Sequence, residues 1–236
     1  MSDYDRNVAA FPGAARTVAV DAGLRAHMIR VYNYMAGGVA LTGVVAYFTN
    51  LYFGRELYAS PLMYLLIFAP FVLVMFLSFR IEHLAASTAR LLFFIYAALL
   101  GASLSVIFAV YTGTSITRTF FITAAAFGSL SLWGYTTQRD LTGMGSFLMM
   151  GLIGVIIASL VNIFLHSSGL DWIISIVGVI VFTGLTAWDT QRIKEMYSAM
   201  DDGTVAGRKA VMGALRLYLD FINLFLMLLR LFGDRR

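Results

Sequence analysis

The stretch "WIISIVGVIVFTGLTAWDTQRIK", Trp172 to Lys194, decides how this chain folds. Its first seventeen residues, Trp172 to Trp188, carry no charge. About 20 such residues cross the hydrocarbon of a bilayer as a helix. The run then meets an ionised residue, Asp189, where a terminator such as Gly or Pro would be expected. The pattern returns in "ALRLYLDFINLFLMLLRLF", Ala214 to Phe232, with Asp220 well inside it.

Composition sets the frame for both stretches. Of 236 residues, 60% are hydrophobic and 13% charged, and the mean hydropathy is +0.81. Soluble domains hold roughly 45–50% apolar and about 25% charged residues. A soluble core cannot absorb that excess, so the chain reads as a polytopic membrane protein. Cysteine is absent, which excludes a disulfide framework, thiol catalysis and Cys-based metal sites. The net charge of +4 does not point to nucleic acid, because the basic residues are scattered singly between apolar spans. Residues 1–27 read as a polar cytoplasmic leader, loosely ordered or on the membrane surface, without the apolar core of a cleavable signal. Residues 28–236 read as a single transmembrane domain.

Seven stretches meet or approach spanning length: roughly 28–52, 61–79, 89–112, 118–136, 144–166, 171–192 and 210–232. Long spans favour helices over a barrel of alternating ten-residue strands. Short connections leave no room for a soluble domain. Lys and Arg in the loops set orientation. With the N-terminus inside, the inner segments hold Arg6, Arg16, Arg25, Arg30, Arg80, Arg90, Arg139, Arg192, Lys194, Arg208 and Lys209, which makes eleven. The outer segments hold five, Arg55, Arg118, Arg230, Arg235 and Arg236, and Arg216 falls within the last span. The outer "HSSGLD" has neither Lys nor Arg. The terminal "GDRR" dissents, and would fit a re-entrant last span. The preferred reading is seven crossings, N-in and C-out. Glycines within spans, among them Gly37, Gly38, Gly101, Gly128, Gly151, Gly154 and Gly178, read as helix-packing positions. Trp133, Trp172 and Trp188 read as an aromatic belt, and His166 as an interfacial residue.

Ionisable residues in a span cost roughly 2.5–3.5 kcal/mol each at the helix centre and mark function by default. Arg80, Asp189, Arg192, Arg216 and Asp220 qualify. Asp189 and Asp220 sit on consecutive antiparallel spans, with Asp220 expected about 15 Å inside the last one. At a separation near 5 Å two carboxylates repel by roughly 3 kcal/mol, enough to share one proton and titrate as a unit. Ionised, the same oxygens would attract Ca²⁺, a hard cation. The competing structural reading has Asp189 capping local polar groups and Asp220 pairing with Arg216 one turn earlier on its own helix.

Four segments carry a family resemblance: "WDTQRI" (Trp188–Ile193), "LYLDFINLFLMLLRLFG" (Leu217–Gly233), "FFIYAALLGASLS" (Phe93–Ser105) and "GYTTQRDLTGMGSFLMMGLIG" (Gly134–Gly154). The chain resembles a bacterial member of the Bax inhibitor-1, or transmembrane Bax inhibitor motif, family. That resemblance implies an all-α seven-helix membrane bundle with the last helix central. It implies a pH-sensitive Ca²⁺ leak of the inner membrane in which Asp189 and Asp220 form the proton sensor and gate. It matches a basic latch residue to Arg80. Arg216 departs from the family's small polar residue and would modulate the pair. No cofactor is implied; Ca²⁺ and protons are the partners beside the bilayer.

A second reading is a non-conducting regulator working through protein contacts, for example on a membrane-bound protease, as the same resemblance allows. A third, an intramembrane aspartyl protease, fails in detail: "LYLD" replaces Gly-x-Gly before the second Asp, and a Pro-Ala-Leu element is missing. No HExxH, GxSxG or phosphate loop occurs either, so no enzyme is expected.

Overall fold

The computed structural model describes residues 12–236; residues 1–11 of the leader, including Arg6, lie outside it, as do the side chains of residues 12–21 and Arg55. Every regular element described is helical: α1 Pro12–Ala59, α2 Leu62–Arg80, α3 Ala86–Leu104, α4 Ile107–Val110, α5 Gly113–Thr136, α6 Thr142–Leu165, α7 Ser168–Glu195 and α8 Gly203–Phe232. Six spans are long and apolar enough to cross a bilayer, on α1, α2, α3 with α4, α6, α7 and α8. The chain is therefore an all-α membrane protein.

α1 opens on a proline, whose missing N–H costs nothing at a helix start. Residues 12–27, expected to be loosely ordered or on the membrane surface, are helical and continue into the first span. At 1.5 Å per residue its 48 residues extend about 72 Å. The third expected span is interrupted: Ser105 turns back on the Ala102 carbonyl through both its N–H and its hydroxyl, separating α3 from α4. α8 starts earlier than the apolar pattern suggested, because Asp202 caps it by accepting from Thr204 and Val205 N–H.

α5 falls outside the six because its buried row is polar. Ser115, Thr119, Thr123, Phe127 and Ser131, every fourth residue, are buried, along with Gly134. Such a row packs helices through small residues rather than through apolar bulk. α5 nonetheless traverses the bundle. Its start lies beside the C-terminal tail, where Thr112 N–H donates to the Asp234 carbonyl. Its far end leads to the 137–141 loop, held by Gln191 near the end of α7.

α8 occupies the middle, packed against α1, α3, α5 and α7. In its span 72% of residues are buried, against 11–44% for the others. α6 rests chiefly on α7, and α2 chiefly on α3, so these two helices are peripheral. Of the expected packing glycines, Gly38, Gly101, Gly151 and Gly178 do meet neighbours, whereas Gly128 and Gly154 face open space. The tightest approach to another backbone is at Gly134 of α5, whose missing Cβ would fall on the Ala187 carbonyl of α7. Gly134→Val is expected to cost about 1–3 kcal/mol. A thermal-unfolding midpoint in detergent equal to that of the parent protein would contradict this packing.

The tail settles one alternative. α8 does not turn back; its end joins the face that carries the α4–α5 and α6–α7 connections. Arg236 N–H donates to the Val110 carbonyl, and Asp234 exchanges hydrogen bonds with the Ser115 hydroxyl. Asp171 of "HSSGLD" receives Arg230 at 3.5 Å and Arg235 at 3.9 Å, and Asp234 receives Arg118 at 3.8 Å. On this face Arg118, Arg230 and Arg235 thus each have a carboxylate within 4 Å.

Candidate functional site at the junction of α7 and α8

The hexapeptide that ends α7 divides its labour by helical position. Ile193 is fully buried, on the side where α8 presents Gly213. Thr190 bonds its own Thr186 carbonyl and the Ser131 hydroxyl, which in turn meets the Tyr32 hydroxyl at 2.7 Å. This chain of hydroxyls ties α1, α5 and α7. Gln191 spends both ends of its amide on the 137–141 loop, accepting from Leu141 N–H and donating to the Arg139 carbonyl. Trp188 packs on Gly145 and lies 5.2 Å beneath the Arg192 guanidinium. It is therefore half-buried, unlike the exposed Trp133 and Trp172, which keep the belt assignment. His166 is exposed and ends α6 in the left-handed region, with φ of 50°.

That leaves Asp189. It is 8% exposed, and Asp220 of α8 is 5% exposed. The sequence reading treats these two acids as a candidate pair, and both line one cavity between α7 and α8 in the structure. It did not place Arg216: its Nη1 donates across the helix interface to Asp189 Oδ1 at 3.2 Å, rather than to Asp220 one turn along its own helix. One oxygen of Asp220, Oδ2, is buried without a hydrogen-bond partner.

The expected latch, Arg80, ends α2 with its side chain exposed and does not line the cavity that holds the two carboxylates. The cation in contact with Asp189 is Arg216. The α2 span ends on that arginine, and a single 3₁₀ turn, Ile81–His83, carries the chain away toward α3.

The carboxylates open onto a cavity of about 1030 Å³ walled by α6, α7 and α8, with Phe71 of α2 at one edge. It extends from Trp188 and Arg192 near the α7–α8 turn to Arg230 near the tail. The α8 wall presents Arg216, Asp220, Asn223, Met227 and Arg230, spaced four, three, four and three residues apart along one face. Asn223 donates to the Leu219 carbonyl at 2.8 Å, which leaves its own carbonyl oxygen as an acceptor. Sequence reasoning missed Asn223, although its register with Asp220 was visible. A smaller cavity of about 410 Å³ lies beside the α7–α8 turn, lined by Glu82, Arg208 and Lys209 among others. Arg216 lines both spaces, so the Arg216–Asp189 pair stands between them.

Two carboxylates and an amide do not make a storage site for metal. Ca²⁺ takes six to eight oxygens, and among the described residues no group of three or more His, Asp or Glu side chains converges.

A protein of Escherichia coli named "Inner membrane protein YbhL" is 48% identical over 96% of this chain and 99% of its own length. An uncharacterized protein of Rickettsia prowazekii is 46% identical over the full length of both, and one of Caulobacter vibrioides 45%, again over both full lengths. The family described as "Inhibitor of apoptosis-promoting Bax1" matches residues 24–236, a range that contains every residue lining the carboxylate cavity. The chain belongs to the Bax inhibitor-1 family.

Proposed function

We propose that this protein is a proton-gated Ca²⁺ leak of the bacterial inner membrane, crossing it seven times with the N-terminus in the cytoplasm. The observation that carries this reading is the convergence of Asp189, Asp220 and Arg216 in the wall of a cavity extending from Arg192 to Arg230. The inner-membrane assignment rests on the name of the Escherichia coli relative, and the seventh crossing on the passage of α5 from one face of the bundle to the other.

The gate follows from charge counting. Two carboxylates and one guanidinium sum to −1 when all are ionised and to zero when the acids hold one proton. A buried cluster is stable when neutral and hydrogen-bonded, and is penalised when it carries net charge. The proton-bearing state therefore holds α7 and α8 together, with the shared proton between the carboxyls and Arg216 closing the inner cavity. Loss of that proton leaves a net negative site that draws in water and a divalent cation. Flux should thus rise with pH. Facing the pair are Arg216 and, farther off, Arg192. The cavity residues from α6 and α2 are not titratable. Asp140, in the α5–α6 loop, is held below the ordinary carboxylate range by hydrogen bonds from Thr142, so it contributes nothing between pH 5 and 8.

The test is Ca²⁺ uptake by proteoliposomes across pH 5–8. Flux that climbs with pH supports the leak. Empty-liposome rates at every pH would leave the non-conducting regulator, for instance of a membrane protease, as the better reading. Within the same assay Arg80→Ala is expected to keep the pH profile of the parent, because Arg216 supplies the cation at Asp189. A profile displaced by about one pH unit or more would restore Arg80 as the latch.

A further inference from the structure

The carboxylate cavity does not end at Arg192. A second, polar cup of about 330 Å³ adjoins it at the end of α7, lined by Thr142, Trp188, Gln191, Arg192, Glu195 and Met196. Trp188 and Arg192 line both spaces. The larger space is apolar along its α6 wall, where Met149, Leu152, Ile156, Leu160 and Ile163 follow one another at three- and four-residue steps. α6 leans on α7 and α2 on α3, so the groove lies between two peripheral helices, with exposed Phe71 at its edge. A polar cup at the end of a spanning helix, continuous with an apolar groove along that span, has the shape of an amphiphile with its head at the interface.

We infer that this pair of cavities is a phospholipid site, taking a headgroup that carries both a phosphate and a primary ammonium in the cup and an acyl chain along α6. Charge complementarity selects the headgroup. Arg192 and Glu195 are exposed and sit three residues apart on the last turn of α7, hence on neighbouring positions of one face. Among the described residues no ion pair joins them to each other or consumes either one. The Arg192 guanidinium rests on Trp188, which fixes it at the junction of cup and groove and leaves its N–H groups for a phosphate. Glu195 then faces the ammonium. Gln191 adds no contact, since its amide is already spent on the 137–141 loop. The groove side needs only an apolar chain, and the bilayer supplies one. A chain in this position shares the cavity with Asp220 and Asn223, although the inference does not require that the protein conduct.

The test is native mass spectrometry of the delipidated protein after incubation with an equimolar mixture of phosphatidylethanolamine, phosphatidylglycerol and phosphatidylcholine of matched chains. The parent protein is expected to retain one lipid, preferentially the ethanolamine form. Arg192→Gln should lower retention of all three by roughly tenfold, the loss of one charge-assisted contact. Glu195→Gln should keep total retention and erase the ethanolamine preference. Ser159→Phe, on the groove wall and remote from the cup, should lower retention without changing the preference. Arg192 and Glu195 are exposed, so those two variants do not put folding at risk. No retained lipid in the parent protein, retention unchanged by both Arg192→Gln and Ser159→Phe, or a preference for phosphatidylglycerol would each overturn the assignment.

Discussion

With Asp189 and Asp220 both replaced by Asn, Ca²⁺ flux through reconstituted protein should lose its pH dependence. The parent protein, with one proton governing the neutral-to-charged step, should change its open fraction by up to about tenfold per pH unit through the transition. The double variant keeps the volumes and the hydrogen-bonding capacity of both side chains but has no proton to lose there. Its flux should vary less than about twofold between pH 5 and 8, against a factor of ten or more for the parent. The comparison separates this pair from the three histidines, which remain in the variant. A variant that retained the parent's slope would remove the pair from the gate.

Arg216→Leu should have the second-largest effect, and it has two parts. Asp189 keeps its burial and loses its only ion-pair partner among the described residues. Leaving a buried charged acceptor unsatisfied costs about 1–3 kcal/mol, and the partial exposure of Arg216 places the value toward the lower end. That should lower the unfolding midpoint by several degrees. The flux profile should also move toward higher pH, by about one unit, because without the guanidinium the cluster must hold a proton to a higher pH before it becomes charged. Arg216→Lys keeps the charge and should restore most of the profile. A profile that stays in place in Arg216→Leu, with stability lost, would confine Arg216 to a structural role.

Much of this arrangement was legible in the sequence, for reasons that also explain what was not. Hydropathy finds a span when its apolar residues face outward to lipid, as they do on α2 and α6, where only 11% of the span is buried. α5 is the opposite case: its Ser/Thr row faces inward and lowers the average. The pair of acids stood out because an ionisable residue inside a span is costly. The partner of Arg216 was misjudged for a geometric reason. Residue 216 is one turn from Asp220 in sequence, but the guanidinium crosses to the neighbouring helix, and the direction of a long side chain is not written in its spacing. Arg80 was matched through resemblance of "FLSFR", and its position at the end of α2 depends on where the 3₁₀ turn at Ile81–His83 leads the chain, which pattern alone does not give.

The clasp at the carboxyl end bears on how this protein is handled in the laboratory. The last backbone amide, that of Arg236, is already bonded to Val110, and Asp234 is held by Ser115. An affinity tag fused directly after Arg236 would begin at an anchored point and pull on α4 and α5, so a purification handle should be separated by a flexible spacer. Reporters of sidedness placed at Ser198, in the α7–α8 turn, and after Arg236 should give opposite answers, because the two positions sit at opposite ends of the central helix.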